Sequence, residues 1–449
     1  MNQKKPFYKV VWSIVLPVTL QSLLQSSFGV VDQIMTGQLG SVSIAGIGLG
    51  TKFSSIFSVL VSAIAAAAGI MIAQYAGKKE EQGVSRSFWV NLVLALVLAA
   101  VFILACLVFP REIMALYTGD ENTENTAAGY LRIVSFSFLP AAVTVLVSTL
   151  LRCMDEAVLP LYASIFGAVV NTGLNYVLIF GRWGFPELGV TGAALATVCS
   201  QSAGCILLLF LFLGRYRSRD WKLRPVFGFG TGGGAQYMGI LLPILACEFF
   251  WSLGENVYAV IYGHIGTESC AAMTLTTPVQ VLFMGMLSGL AQAAGILIGK
   301  TLGREEYDRA FQESLKLMKY GLVASGVLSV LLILCSRYYV EMYGVSRQVK
   351  ELAWQIMEAF ALIAPVKVQN MILGGGILRS GGKTGYVMTV DFVGTWLFGV
   401  PLGVVAAFVW NLSIPWVYFI LSLEEWVRFL ISVLIFRKGK WMGSLPKIS

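Results

Sequence analysis

Long apolar stretches, each about 20 residues or more, recur along the whole chain and are separated by short polar segments. About 20 residues of helix rise 30 Å, roughly the thickness of a bilayer's hydrocarbon core. Such stretches lie near residues 10–36, 44–75, 88–109, 128–150, 158–181, 189–213, 236–262, 270–299, 315–336, 351–377, 386–409 and 412–436. They predict twelve spans. Alternation at period two is absent and a spanning segment must satisfy its own backbone, so the spans are read as helices. The connections are short and leave no separate soluble domain.

Composition narrows the class. Of 449 residues, 57% are hydrophobic and only 12% are charged, about half the share of a soluble domain. With a mean hydropathy of +0.76 this excludes soluble enzymes, disordered chains and secreted disulfide scaffolds. Cys106, Cys153, Cys199, Cys205, Cys247, Cys270 and Cys335 form no CxxC pair and are expected to be small core residues. The opening MNQKKPFYKVVWS leads into an apolar stretch without a small-residue cleavage site, so a first span is expected and not a removable signal.

The net charge of +8 resembles a nucleic-acid signal until its placement is traced. Bases on the side of the N-terminus include Lys4, Lys5, Lys9, Lys78, Lys79, Arg86, Arg152, the run from Arg215 to Arg224, the run from Lys300 to Lys319, Arg379, Lys383, Arg437, Lys438, Lys440 and Lys447. They number 23, against 5 on the opposite side. Positive charge collects in cytoplasmic loops, so both termini are expected inside and no nucleic-acid partner is needed.

The chain also repeats itself. Leu16-Pro17, Gly37, Gly40, Ala45, Ala68-Gly69-Ile70, Ile72, Gly77 and Glu80 recur 226 residues later, as Leu242-Pro243 through Glu306, without a slip. Leu151-Arg152 recurs as Leu378-Arg379. Two lobes are therefore expected, residues 1–225 and 226–449, with six spans each. An even number of spans returns the second copy in the same sense, which implies a pseudo-two-fold axis along the membrane normal. The predicted fold is an all-α membrane protein of twelve transmembrane helices in two six-helix lobes.

Ionisable groups at membrane depth cost about 3 kcal/mol or more and mark function by default. Asp32 in span one has no base within a turn, and a carboxyl there is expected neutral unless a cation or strong donors join it. Asn171 and Asn175 are four apart on span five, hence on one face, where two amide oxygens suit a hard cation such as Na+. Interhelical hydrogen bonding is the alternative for them. On span seven, Glu248, Glu255 and Tyr258 share a face, and with Asp391 they are expected to line a substrate cavity that attracts cations. Glu424 and Glu425 stand four and three residues before Arg428, the spacing of a structural ion pair, which leaves one glutamate over. Lys52 and Lys367 are expected either to snorkel or to neutralise an acid. The lone His264 is expected in an outer loop.

The order and spacing of Pro17, Asp32, VDQIMTGQLG, the AGI exits of spans two and eight, the LR pairs and NTGLNYVLIFG resemble the multidrug and toxic compound extrusion (MATE) transporters, over residues 8 to 440. The span-five pattern is similar to the NorM-like branch. The resemblance implies a bacterial plasma-membrane antiporter with no cofactor, which exports organic cations and other drug-like molecules by alternating access and is driven by Na+ or H+ entry. It implies a coupling site at Asp32, Asn171, Asn175 and Thr197, small-molecule substrates, contact with lipid, and a monomer. In sodium-linked members acids also stand on spans seven and ten. Glu255 roughly matches the first, and the second falls near Lys383-Thr384, which has no acid.

Two other classes fit the sequence less well. A lipid-linked oligosaccharide flippase of the related superfamily would need a basic cavity for pyrophosphate, whereas the ionisable residues at depth are net acidic here. An intramembrane enzyme would need a nucleophile and base or a metal cluster, and the sequence has one histidine and neither HExxH nor GxSxG.

Overall fold

A computed structural model of the chain describes residues 6–218, 223–225 and 233–446. Lys4, Lys5, Arg219, Lys222 and Lys447, counted above among the cytoplasmic bases, lie outside the described residues. Among those described there are helices and turns and no strand.

Among the described residues, eleven helices are long and apolar enough to cross a membrane: α1 (Phe7–Thr36), α2 (Ser41–Lys78), α3 (Glu81–Val108), α4 (Glu121–Cys153), α5 (Val158–Phe180), α6 (Gly189–Ser218), α7 (Gly233–Ile265), α8 (Thr267–Gly303), α9 (Tyr307–Glu341), α10 (Arg347–Leu378) and α11 (Gly385–Val409). The twelfth span, α12, is two pieces, Ile414–Leu421 and Glu424–Arg437, interrupted at Ser422-Leu423. The break falls beside the two buried glutamates, Glu424 and Glu425, which find partners both on α12 itself and on other helices. This is an all-α membrane fold. Several helices outrun the apolar stretches that predict them. The 38 residues of α2 correspond to about 57 Å at 1.5 Å per residue, so its ends pass beyond a bilayer's core.

The outward faces are what lipid requires. On α3, Val93, Val97, Val101, Leu104 and Val108 are exposed, and on α9 so are Leu322, Val323, Val327, Val330 and Leu334. In water such stripes would be a liability, but against acyl chains they cost nothing.

The chain divides into two compact units. One is made of the described residues of Leu16–Ile72 and Glu80–Gly230. Its core holds Phe57, stacked on Phe138 at 4.4 Å, and Ala95, Ala99, Leu146, Leu150 and Leu151 are fully buried in the same unit. Asp120 caps α4 by accepting from the Thr123 amide at 2.9 Å.

The other unit comprises the described residues of Met1–Val15, Ala73–Lys79 and Thr231–Lys447. The end of α2 belongs to it through close approaches. A Cβ on Gly77 would run into the Lys300 carbonyl, and one on Gly303 into the Gln74 carbonyl. The repeat interval of 226 carries Gly77 onto Gly303 and Gln74 onto Lys300, so α2 and α8 cross reciprocally where only glycine leaves room for two backbones. The fully buried Gln74 amide donates to Ser380 O at 2.6 Å and to Gly443 O at 3.2 Å and accepts from the Leu445 amide at 2.8 Å. Trp441, also fully buried, stacks on Phe436. Near its end α10 widens into a π-helical stretch, Met371–Leu378, where Gly376 lies against the Ala291 carbonyl of α8. Arg379 follows directly.

Candidate functional site

Within the first unit, α1 carries Asp32 toward α5. The hydroxyls around it do not serve it: Ser26 and Ser27 donate to carbonyls one turn back, and Thr36 donates to the Asp32 carbonyl at 2.9 Å. The partner comes from another helix. Asn175 Nδ2 donates to Asp32 Oδ1 at 2.5 Å and to Asn171 Oδ1 at 3.2 Å, and Asn171 Nδ2 donates to Ser200 Oγ of α6 at 3.3 Å. One carboxylate, two amides and a hydroxyl thus form a continuous chain.

Glycines set the spacing of this chain. A Cβ on Gly167 of α5 would sit 3.4 Å from the Ser200 carbonyl, and one on Gly204 of α6 would sit 3.4 Å from the Ala163 carbonyl. Close packing of α5 on α6 places Asn171 beside Ser200. Asn175 is fully buried, and its Oδ1 has no hydrogen-bond partner. A buried amide oxygen without a donor is costly, and beside a carboxylate it offers a second acceptor to a proton carrier or to a hard cation.

Three of the four residues expected here, Asp32, Asn171 and Asn175, are brought together. Thr197 is on the same helix as Ser200, but its hydroxyl donates to Ala193 O at 3.0 Å within its own turn. Ser200 takes the contact instead. A rule of three or four residues from Thr197 would have pointed to it, because Ser200 lies one turn further along α6.

The second unit disperses the residues expected to share a cavity. Tyr258 is buried and donates to Glu424 Oε2 at 2.6 Å. Glu255 is exposed. Glu248 pairs with Arg379 at 3.5 Å, and these two line a cavity of about 230 Å³ together with Cys247, Trp251 and Asp391.

Glu424 and Glu425 form a four-charge cluster. Arg428 stands 3.9 Å from Glu424 and 4.0 Å from Glu425, and Lys367 of α10 stands 3.7 Å from Glu425. Asn370 Nδ2 adds a bond to Glu425 at 2.8 Å, and Arg428 also donates to Thr395 Oγ1. Lys367 therefore supplies the charge that the ion-pair spacing on span twelve left missing, and the cluster is neutral overall. Lys383 and Thr384 lie between α10 and α11, outside both spans: Thr384 donates to Ile240 O at 2.9 Å and Lys383 to Lys440 O at 2.6 Å. On span ten itself the ionisable group near the acids is Lys367.

Two bases expected in loops turn inward. Arg152 donates to Gln21 Oε1 at 2.7 Å, and Arg379 faces Glu248. Lys52 is exposed, and His264 sits in the last turn of α7 with its ring nitrogen 2.9 Å from Val260 O. Cys106, Cys153, Cys205 and Cys247 are buried as expected, whereas Cys199 and Cys335 are exposed. Among the described residues no group of three or more His, Cys, Asp or Glu converges as a metal site.

The MatE family model matches residues 17–177 and again 243–405, beginning at Pro17 and Pro243, the repeat interval apart. The chain is 22% identical over 446 residues to the uncharacterized transporter YisQ of Bacillus subtilis, covering 98% of this chain and 96% of that protein. It is 24% identical over 420 residues to a probable multidrug resistance protein NorM of Bacillus anthracis, covering 92% and 91%. The crystal structure of a MATE in complex with MaL6 shares the fold, with a TM-score of 0.88 and 17% identity over 96% of both chains.

Proposed function

The chain belongs to the MatE family, a family of multidrug efflux transporters, and we propose that it exports organic cations in exchange for an entering Na+ or H+ bound at Asp32. The observation that supports this reading most directly is the contact between Asp32 and Asn175 at 2.5 Å beside the unpartnered Asn175 Oδ1. A carboxyl held by one neutral donor and flanked by a free acceptor can be neutralised in two ways, by a proton on Asp32 or by a cation shared with the amide oxygen. Either event removes a charge from the interior of a helix bundle, which changes the energy of the surrounding packing by several kcal/mol on the scale of about 3 kcal/mol per buried charge. Ion occupancy is thereby tied to conformation, as exchange requires.

The cargo is read from charge. Among the described acids of the second unit, Asp391 and Glu255 have no base within 4.0 Å, and both favour an incoming cation. The proposed setting is a bacterial plasma membrane with both termini inside, as the distribution of bases suggests.

Efflux from proteoliposomes with independently imposed Na+ and pH gradients tests the proposal. Asp32→Asn is expected to abolish gradient-driven ethidium export while the protein still inserts and purifies normally. Export at the wild-type rate by that variant would remove Asp32 from the mechanism.

A further inference from the structure

The two halves of the chain build the same polar junction differently. In the first unit Arg152 donates to Gln21 Oε1 at 2.7 Å, and Gln21 Nε2 donates to Ser164 Oγ at 2.7 Å. The carboxamide of Gln21 thus bridges an arginine on α4 and a hydroxyl on α5, accepting at one end and donating at the other. Gln21 is buried, at 7% exposure.

The repeat carries these three positions onto Cys247, Arg379 and Asp391. The register is firm, because α5 and α11 begin at Val158 and Gly385 and Gly167 recurs as Gly394, both at the interval that relates the two arginines. The arginine is kept. The bridging carboxamide is replaced by a thiol, several atoms shorter, and the neutral hydroxyl by a carboxylate. Where the amide would lie, the second unit has the cavity of about 230 Å³ lined by Cys247, Glu248, Trp251, Arg379 and Asp391.

The walls of this cavity state what fits. Arg379 Nε is buried and has no hydrogen-bond partner, and the guanidinium touches Glu248 only as an ion contact at 3.5 Å. It calls for an acceptor, as Arg152 does. Asp391 lines the cavity beside Cys247, has no hydrogen-bonding side-chain partner among the described residues, and calls for a donor. Formal charge decides the character of each. Glu248 already offsets Arg379, so a second carboxylate beside them would meet repulsion and the acceptor is best neutral. Asp391 has no base within 4.0 Å among the described residues, so the donor is best cationic. Trp251, half exposed, offers an aromatic face to a flat cation.

We propose that this cavity is a built binding site for an organic monocation that carries a neutral carbonyl or carboxamide acceptor at its far end, the ammonium on Asp391 and the carbonyl on Arg379. The ligand would restore in trans the bridge that Gln21 makes in cis. The inference narrows the export reading to a substrate class and rests on it only for the direction of movement, because binding is read separately.

Three matched probes test it on the full chain in lipid nanodiscs by calorimetry: 4-(aminomethyl)benzamide, benzylamine and benzamide. The first is expected to bind about tenfold tighter than benzylamine, the weight of one hydrogen bond to a charged group, and benzamide more weakly than either. Arg379→Gln should bring the first two probes together, and Asp391→Asn should weaken both. Cys247→Gln should restore the bridge and eliminate binding of all three, with an unchanged unfolding temperature showing that the fold survives. Equal binding of the three probes, binding of none, or full binding by Cys247→Gln overturns the inference. Loss of ethidium export with probe binding intact would count against the export reading instead.

Discussion

Tyr258 donates its hydroxyl to Glu424 Oε2 at 2.6 Å, and it does so from the position that Asp32 occupies half a chain earlier. In the first unit the acid is on the opening helix and its partner, Asn175, is a neutral amide. In the second the opening helix supplies a phenol, and the acid on α12 is held within a cluster that includes Arg428 and Lys367. Asp32 keeps a carboxylate with neutral partners, whereas the carboxylates on α12 are surrounded by resident cations. At Asp32, unlike at Glu424 and Glu425, an arriving ion finds a charge that no resident cation offsets.

Tyr258 is accordingly expected to act through stability. Tyr258→Phe leaves a buried carboxylate oxygen short of a donor, at a cost of about 1–3 kcal/mol. The measurement is thermal unfolding in detergent alongside efflux in proteoliposomes. A lower unfolding temperature with the apparent KM for ethidium preserved is expected, whereas a raised KM with unchanged stability would return Tyr258 to the substrate path.

In the coupling site the ranking follows the hydrogen-bond chain. Asn175→Ala removes the only side-chain donor to Asp32 seen among the described residues and is expected to reduce gradient-driven efflux by about tenfold or more, the weight of one charge-assisted bond. Ser200→Ala acts one link further away, through Asn171, and is expected to have a smaller effect. Thr197→Val should be close to silent, because that hydroxyl is already committed to Ala193 O. Initial efflux rates at a fixed gradient give the order directly, and a Thr197→Val defect larger than that of Ser200→Ala would contradict it.

How much of this was legible in the sequence depends on whether a feature is local. The spans, the repeat and the pairing of Asn171 with Asn175 follow from apolar runs, exact intervals and four-residue spacing, and the helices keep them. That span five partners Asp32 was implied by the family resemblance and not by the residues alone. The choice of Ser200 over Thr197 could not be read, since it turns on how closely Gly167 and Gly204 let two helices approach. Lys367 and Glu425 are 58 positions apart and meet only through tertiary packing. Arg152 and Arg379 look like loop bases because each follows an apolar run, and only the fold shows that their side chains bend back inside.

The crossing of α2 and α8 predicts a symmetric pair of defects. A methyl at Gly77 or Gly303 would meet a carbonyl of the facing helix, and overpacking of this kind costs about 1–3 kcal/mol. Gly77→Ala and Gly303→Ala should each lower the unfolding temperature by similar amounts, because the repeat makes the two contacts equivalent. Gly48→Ala, where the added methyl meets nothing within 4 Å, is the control and should be neutral or stabilising. Equal stability of all three variants would show that the helices separate more freely than their packing implies.

The charge cluster of the second unit allows a sharper experiment, because a net-neutral cluster responds differently to one substitution than to two. Lys367→Met leaves Glu425 with Arg428, which it must share with Glu424, and strands a buried negative charge. Breaking a buried pair from one side typically costs about 3–5 kcal/mol. Glu425→Gln alone strands Lys367 in the opposite sense and should be destabilising as well. The double variant, Lys367→Met with Glu425→Gln, removes one charge of each sign and keeps an amide where Asn370 can still donate. It is therefore expected to recover most of the loss, giving a coupling energy of about 1–3 kcal/mol in a double-mutant cycle on unfolding in detergent. Additive losses would mean that the 3.7 Å contact carries no pairing energy and that Lys367 is stabilised by something other than Glu425. If the double variant also exports ethidium normally, resident cations in this lobe serve the architecture, and the ion that drives exchange has Asp32 as its carboxylate.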